Sequence, residues 1–232
     1  MADRGRGYGF DSEANMRGTS LKGRRRQSAG SDIGTRDQLL IAAGELMTER
    51  RSTDVSLSDI AAKSGLNSAL VKYYFGNKAG LIVALLRKVM GAGIAELKLL
   101  PEMDIPPEQK LRIHISGMVN SYYQYPYINP LMHQLLAEDS ETYGQLIAEE
   151  FGKPIAEAQR RIMEQGVEAG VFRSVDPVLF YFHVVGSCDH LFYGKYQLEH
   201  VFDVHDITAE LKREFVDHLY SIITEGLLVR SN

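Results

Sequence analysis

Residues Ser56 to Lys78 read SLSDIAAKSGLNSALVKYYFGNK and contain two short helical patterns separated by a tight turn. Ser56 can cap the first helix, and Asp59 follows three residues later in a variant of the capping-box spacing. Gly65 ends this pattern, and glycine most readily adopts the left-handed conformation found at helix ends. Asn67 offers a second cap before another apolar stripe. The stretch therefore predicts a helix-turn-helix, a motif whose second helix enters the major groove of DNA.

The composition is that of a globular protein. The chain has 232 residues, of which 44% are hydrophobic and 24% are charged, as is usual for globular domains. No apolar run approaches the roughly 18 residues of a membrane span, and the N-terminus lacks the apolar segment of a secretory signal. Cys188 is the only cysteine, so an internal disulfide is excluded. We therefore expect a cytoplasmic protein with no membrane contact.

Charge is distributed unevenly along the chain. Residues 1–80 contain 13 Lys and Arg against 9 Asp and Glu, whereas residues 81–232 contain 13 against 21. A basic front on an acidic body is typical of a protein in which one domain alone contacts phosphates. An uneven scatter of surface charge is the alternative interpretation.

The first 34 residues are predicted to form a disordered basic arm. They contain seven glycines, no proline and few apolar residues, so they have little to bury. We expect the arm either to lie along phosphates or a minor groove, or to be a plain solvated tail. Its basic cluster consists of Arg17, Lys22, Arg24, Arg25 and Arg26.

The rest of the chain shows helical periodicity and no alternating strand pattern, so the predicted fold class is all-α. A helix over Arg36–Arg50 completes a three-helix DNA-binding domain over residues 35–80, and a larger helical domain occupies residues 81–232. Pro154 should kink or split the helix that contains it, because proline lacks an N–H and clashes with the preceding turn. The other predicted helices span Lys78–Leu100, Glu108–Gln124, Asn129–Glu138, Glu141–Ala169, Pro177–Tyr196 and Ile207–Val229.

With this arrangement, the chain resembles the TetR family of bacterial transcriptional regulators. The resemblance covers about Thr35–Leu86 and rests on Ser56, Asp59-Ile60-Ala61, Ser64-Gly65-Leu66, Tyr74-Phe75-Gly76-Asn77-Lys78 and Leu81. It implies a C-terminal domain that dimerises and binds a small effector, and most often a repressor that releases DNA when the effector arrives. The family usually has a tyrosine where this chain has Lys72, and often a Lys-Gly pair where it has Ser68-Ala69. These positions commonly face DNA in the family, so the operator sequence of this chain cannot be taken from its relatives.

The second helix of the motif is expected to present its polar side to duplex DNA. Asn67 is predicted to pair with adenine and Ala69 to contact a thymine methyl, whereas Lys78 sits where a helix N-terminus attracts phosphate. Lys72 and the two tyrosines after it are better placed as phosphate binders. The predicted DNA-binding residues are Ser56, Asn67, Ser68, Ala69, Lys72, Tyr73, Tyr74 and Lys78. Solvated surface is the alternative for each side chain taken singly.

The opposite side of this helix should pack on the core of the domain. Leu66, Val71 and Phe75 are predicted to face inward, and Leu70 fits either the core or the groove.

A single module makes few base contacts, so we expect a homodimer on a near-palindromic operator with half-sites about 34–36 Å apart. The last two helices are the predicted interface, where Gly186 and Gly194 would permit close approach. The apolar residues expected there are Phe180, Phe192, Leu219, Ile222 and Ile223, which could instead fill the core of one protomer.

Aromatic residues are dense over Tyr122–Tyr127 and over Phe180–Tyr196, and helical bundles can hold apolar pockets between such stretches. We expect Met118, Tyr122, Phe182 and His183 to line a pocket for an apolar or aromatic effector. A simple core packing of these side chains is the alternative.

The sequence predicts no cofactor and no metal site. His183 and His190 share a helix face, but Cys188 is turned away from both, which disfavours a metal interpretation. Hydrolase, P-loop and paired-cysteine zinc motifs are absent from the sequence, so an enzyme is not expected. The alternatives to an effector-responsive regulator are an effector-independent or nucleoid-type DNA-binding protein and a helical enzyme with a DNA-binding module.

Overall fold

The computed structural model describes residues 34–228, and over this range the protein is built from α-helices. The all-α prediction is confirmed, and the only extended pairing among the described residues is a single bridge between Phe172 and Leu228. The predicted basic arm lies almost entirely outside the described residues. The helices are α1 Thr35–Glu49, α2 Leu57–Ser64, α3 Ser68–Phe75, α4 Lys78–Leu99, α5 Pro107–Gln124, α6 Ile128–Glu138, α7 Ser140–Ile147, α8 Lys153–Glu168, α9 Pro177–Tyr193, α10 Lys195–Phe202 and α11 Ala209–Leu227.

The first three helices form a head, which we define as residues 35–80, around an apolar core. Leu39 and Leu40 of α1, Ile60 of α2 and Val71 of α3 are each at most 1% exposed. Half-buried Leu70 packs against the same core, which places it inside the head and away from the groove. Apolar residues at helical spacing on three short helices thus bury one another, as the sequence predicts.

The core of the head continues into the body, which we define as residues 81–228. Leu85 and Leu86 of α4 belong to the same buried cluster as Ile128 and Leu131 of α6. The predicted boundary at residue 80 therefore lies inside a continuous core. A movement of α4 or α6 would therefore displace the helices of the head that pack against them.

A second core lies within the body, where α5, α8, α9 and α11 meet. Its fully buried residues include Ile115 of α5, Ile162 of α8 and Val184 of α9, and Ile223 of α11 is 4% exposed. This core holds the helices that the sequence assigns to effector binding and dimerisation.

The helix that contains Pro154 is split, which is one of the two outcomes predicted for it. The single helix expected over Glu141–Ala169 is divided into α7 and α8 by a π-helical turn over Ala148–Gly152. Pro154 is the second residue of α8, directly after this turn, and its missing N–H cannot donate to the turn before it.

The predicted helix over Pro177–Tyr196 is wrong at its end, because α9 stops at Tyr193 and a separate helix, α10, follows. The intervening Gly194 is buried, and a Cβ atom there would lie 2.8 Å from the carbonyl oxygen of His190. The aromatic pattern runs on through the break, so periodicity does not reveal it.

Candidate functional site

The start of α2 is held by the capping box that the sequence predicts. The Ser56 hydroxyl accepts a hydrogen bond from the Asp59 amide at 3.0 Å, and the Asp59 carboxylate accepts one from the Ser56 amide at 3.0 Å. The Arg50 guanidinium at the end of α1 lies 3.1 Å from the same carboxylate. Arg50 first and Ser56 second hold the pKa of Asp59 well below its usual range. The cap therefore also ties α1 to α2.

The turn between α2 and α3 is fixed by glycine and asparagine. Gly65 has a φ of +70°, in the left-handed region that favours glycine, and the Leu66 amide donates back to the carbonyl of Ala61 at 3.1 Å. Asn67 caps α3, because its Oδ1 accepts a hydrogen bond from the Ala69 amide at 2.8 Å. These local bonds set the angle between the two helices of the motif.

The helix α3 has one buried face and one exposed face. Val71 is completely buried, and Leu66 and Phe75 pack beside it as half-buried residues. The guanidinium of Arg36 on α1 lies 5.3 Å from the centre of the Phe75 ring, a cation–π contact that seats the end of α3 on α1.

The exposed face of α3 carries one cation and no carboxylate. Lys72 is exposed and makes no ion pair with any described residue. Tyr73 is 79% exposed, and its ring packs edge-on against Tyr74 at 5.0 Å between centroids. Of the eight predicted DNA-binding residues, seven are exposed and Lys78 is half-buried: Ser56, Asn67, Ser68, Ala69, Lys72, Tyr73, Tyr74 and Lys78.

Two of these residues have side chains already engaged within the head. The Ser56 hydroxyl both accepts from Asp59 and donates to its carboxylate at 2.6 Å. Asn67 uses Oδ1 as a cap, which leaves its NH₂ group as the donor still available to a base.

A residue that the sequence analysis missed sets the entry to α4. A Cβ atom on Gly80 would lie 2.1 Å from the carbonyl oxygen of Phe75, so only glycine allows the first turn of α4 to cross the end of α3 this closely. Asn77 caps this turn through a 2.8 Å hydrogen bond from the Gly80 amide, and Lys78 is its first residue. The signal in the sequence was a glycine within the first turn of a helix.

The four predicted effector residues do not come together. Met118 and Tyr122 on α5 are half-buried and pack against the second core, and the Tyr122 ring lies 6.0 Å from that of Phe192. Burial first, and Asp189 second, raise the pKa of the Tyr122 hydroxyl. In contrast, Phe182 is 68% exposed and His183 is exposed. Their assignment to the interior is corrected, because α9 turns Phe180, Val184 and Cys188 inward.

The body contains buried polar contacts that the sequence analysis missed. The ring of His114 on α5 lies 2.9 Å from the amide nitrogen of Gln159 on α8, and both residues are at most 4% exposed. The Gln159 Oε1 atom has no hydrogen-bond partner among the described residues. Nearby helices bring Asn129 of α6 into a hydrogen bond with Asp189 of α9. Only the packing of distant helices creates these pairs.

The predicted dimer residues fall into two groups. Phe180, Leu219 and Ile223 are at most 7% exposed within one protomer, so their assignment to an intersubunit surface is corrected. Gly194 packs against its own chain. Ile222 is 48% exposed, and a Cβ atom on Gly186 would meet open space. The exposed face of α9 instead carries His183 and four residues that we call the α9 strip, namely Val178, Leu179, Phe182 and Gly186.

Three further observations concern function classes. Among residues 34–228, no three His, Cys, Asp or Glu side chains are grouped so that they could hold a metal ion. Burial raises the pKa of the Cys188 thiol to about 12, as expected for a core residue. Within the same range, no helix has the length and apolar character needed to span a bilayer.

The geometry of the head indicates the class of protein. A capped helix-turn-helix with an exposed second helix bearing a cation and no carboxylate is the head of a DNA-binding transcriptional regulator. Residues 39–85 match the model of a family described as "Bacterial regulatory proteins, tetR family", and residues 104–232 match "Tetracyclin repressor-like, C-terminal domain". The chain belongs to the TetR family.

Two curated relatives agree with this assignment. The HTH-type transcriptional regulator BetI of Stenotrophomonas maltophilia is 38% identical over 55 residues, which cover 24% of this chain and 28% of BetI. The HTH-type transcriptional repressor NicS of Pseudomonas putida is 29% identical over 147 residues, which cover 60% of this chain and 66% of NicS. The chain thus spans about a quarter of one relative and just under two thirds of the other.

Solved structures share the fold at low identity. KstR2, a ketosteroid transcriptional regulator of Mycobacterium tuberculosis, superposes with a TM-score of 0.65 at 18% identity over 88% of this chain and 100% of its own. FadR of Bacillus subtilis, in complex with stearoyl-CoA, gives a TM-score of 0.60 at 20% identity over 79% of this chain and 97% of its own.

Proposed function

We propose that this regulator is an effector-responsive repressor in the cytoplasm that binds a near-palindromic operator as a homodimer and is released by a small apolar or aromatic ligand. The observation that carries the proposal is the exposed face of α3, which presents polar, aromatic and cationic side chains without a carboxylate. A face of this kind suits the negative surface of duplex DNA.

We assign separate roles to the residues of this face. Asn67, Ser68 and Ala69 at the N-terminal end of α3 would meet base edges, since this end of a recognition helix reaches deepest into the groove. Lys72 and the adjoining tyrosines would contact phosphates and set the register. Lys78 and Ser56 lie at the starts of α4 and α2, where free amide groups attract a phosphate.

Dimerisation is proposed to use the α9 strip. Leu179 is 72% exposed and Phe182 is 68% exposed, and these residues lie on one side of α9 with Gly186. Contiguous exposed apolar surface of this kind marks interaction sites. A twofold pair of chains would present two α3 helices to successive major grooves.

The effector is proposed to bind in the body between α5, α8 and α9, near Tyr122 and the His114–Gln159 pair. The unpartnered Oε1 of Gln159 is a buried acceptor that a ligand donor would satisfy. One fold neighbour was solved in complex with stearoyl-CoA, and another is described as a ketosteroid transcriptional regulator, which fits an apolar ligand. Binding there would shift α4, whose residues share a core with the head, and so change the spacing of the two α3 helices.

Selection of bound fragments from genomic DNA tests the DNA side. We expect one palindromic sequence to be enriched, and Lys72→Ala to weaken binding to every sequence while lowering the salt slope by about 1. Lys98→Ala is the matched control, because Lys98 is also an exposed, unpaired lysine of the described range but lies on α4 of the body. Enrichment of no sequence would favour a nucleoid-type binder and contradict the proposal.

Sedimentation tests the dimer. Phe182→Asp is expected to give monomers that lose affinity for the full palindrome, because a charge on the α9 strip opposes burial. Phe202→Asp on α10 is the control, since Phe202 is also 68% exposed. Monomers in both variants, or in neither, would contradict this interface.

Operator release tests the effector site. Compounds from an apolar and aromatic library that release the operator are expected to lose their effect in Tyr122→Ala and to keep it in Tyr193→Ala, an exposed aromatic residue of α9. A compound that binds the body yet leaves operator affinity unchanged at fixed salt would contradict the proposed switch.

A further inference from the structure

A cavity lies between the head and the body, away from the proposed effector region. It is an open cleft of about 560 Å³ between α1, α4 and the end of α5 with the loop that follows. Leu40, Leu85 and Val89 supply its apolar surface, and Tyr125 and Tyr127 line another side. Ligand sites in proteins have volumes of about 300–1,000 Å³. The lining also includes polar and charged residues, namely Glu45, Thr48, Glu49, Lys88 and Gln124.

Tyr127 places an unpartnered hydroxyl at this cleft. Its side chain is only 6% exposed, yet its hydroxyl has no hydrogen-bond partner among the described residues. The hydroxyl faces Gly44 of α1, where an added Cβ atom would lie 2.6 Å away. Burial raises the pKa of this hydroxyl to about 12, so it stays protonated. Because Tyr127 lines the open cleft and its hydroxyl is not fully buried, water can reach this hydroxyl, and a ligand in the cleft would take the place of that water as its partner.

The charged groups of the cleft leave one carboxylate with only a long ion pair. The ammonium of Lys88 lies 3.1 Å from Asp37, and Lys63 lies 2.6 Å from Glu49. Glu45 has Lys63 as its only cation within the described residues, at 3.9 Å, and its side chain is 54% exposed. Glu45 is therefore the charge in the cleft that is best able to bind a further cation.

We propose that this cleft binds a small organic ammonium compound. Its ammonium group would donate hydrogen bonds to the Tyr127 hydroxyl oxygen and to the Glu45 carboxylate. Its apolar part would lie on Leu40, Leu85 and Val89, with the tyrosine rings favouring the positive charge. The site is separate from the α5–α8–α9 region and takes a ligand of different charge.

The position of the cleft links this ligand to DNA binding. Leu40 and Glu45 belong to α1 of the head, whereas Tyr127 belongs to the body. A ligand that contacts both parts stabilises the arrangement of head and body that closes around it. Operator affinity should therefore change when the cleft is occupied.

Three probes of equal size and different charge test the proposal: benzylamine, benzyl alcohol and benzoate at neutral pH. Methyl NMR spectra of the full chain would follow Leu40, Ile41 and Val89, which line the cleft. We expect benzylamine to shift these signals and to bind about tenfold more tightly than benzyl alcohol, with benzoate weaker still. Equal affinities, or shifts confined to other parts of the protein, would overturn the proposal.

Two variants assign the contacts. Tyr127→Phe removes only the hydroxyl and should preserve the fold, while Glu45→Gln removes the charge, and each should weaken benzylamine binding several-fold. Glu141→Gln, at an exposed carboxylate on α7, is the control and should bind benzylamine normally. Full affinity in both cleft variants would overturn the proposal. The selection of operator fragments is measured without any probe. A failure of benzylamine binding would therefore leave the result for the proposed DNA-binding function unchanged.

Discussion

The head and the body place their polar groups in opposite ways. Every buried side chain of the head is apolar, whereas the body holds all the buried polar side chains of the described range: Lys110, His114, Asn129, Gln159 and Thr224. Lys110 donates to the Pro101 carbonyl at 2.8 Å and to Gln165 at 2.9 Å. Buried polar groups cost free energy unless they are paired, so their concentration in one region requires a reason.

We interpret the difference as a division of labour. A head that must only hold α3 at a fixed angle is served by an apolar core, with its polar groups at caps and on the exposed face. If the body binds the proposed effector, its buried polar groups would help to distinguish that ligand, and the unpaired Gln159 Oε1 would accept a hydrogen bond from it. Variants in the two regions test this contrast between an apolar head and a body with buried polar groups.

A charge in the core of the head should have the largest effect. Val71→Asp places a carboxylate where the native side chain is completely buried, so the head should lose more than about 4 kcal/mol and cease to bind the operator. Circular dichroism and fluorescence anisotropy with operator DNA measure the two losses. Val201→Asp, at a residue 68% exposed on α10, should change neither. An operator-binding Val71→Asp variant would refute the apolar-core interpretation.

The buried imidazole of the body should make stability depend on pH. Burial lowers the pKa of His114 from 6.5 to about 4, so the unfolded chain binds a proton at a higher pH than the folded one. The free energy of unfolding contributed by this group is complete above pH 6.5 and falls by about 3 kcal/mol as the pH drops to 4.

Urea titrations between these pH values test the assignment. His114→Asn should remove this part of the pH dependence, whereas His183→Asn, at an exposed histidine, should retain it. Identical pH profiles for the native chain and His114→Asn would show that the imidazole does not titrate in this way.

The His114–Gln159 contact should behave as a coupled pair. His114→Leu or Gln159→Leu alone leaves a buried polar group without its partner and should cost about 1–3 kcal/mol. The double variant replaces both groups by apolar ones and should be more stable than the sum of the single losses indicates. Denaturant unfolding of the four proteins measures the coupling, and strictly additive losses would argue against a direct contact.

The cap of the head should have the smallest effect. Ser56→Ala removes the hydroxyl that binds the Asp59 amide and should lower the free energy of unfolding by about 1 kcal/mol. Ser58→Ala, an exposed residue inside α2, should change it by less than about 0.5 kcal/mol. Equal losses of stability in the two variants would show that the capping box does not stabilise the head.

The sequence predicts the head well because its signals are local. The caps at Ser56 and Asn67 and the left-handed Gly65 act within a few residues, and all three are found in the structure. The split of the helix at Pro154 is also a local effect. The buried position of Val71 and the half-buried position of Phe75 follow from helical spacing on a short, strongly patterned helix.

In the body, local sequence patterns do not predict which residues are buried or where α9 ends. On α9, apolar and aromatic residues occupy every side, so periodicity does not distinguish buried Phe180 from exposed Phe182. The break at Gly194 depends on a close approach to the His190 carbonyl, which the pattern does not reveal.

Local sequence thus decides the helical class, the helix-turn-helix and its exposed polar face, because capping and helical periodicity depend only on near neighbours. Tertiary packing decides which side of α9 faces water, the core shared by head and body, the His114–Gln159 pair and the cleft at Tyr127. These features depend on residues far apart in the chain, whose contacts are set by how whole helices pack against one another.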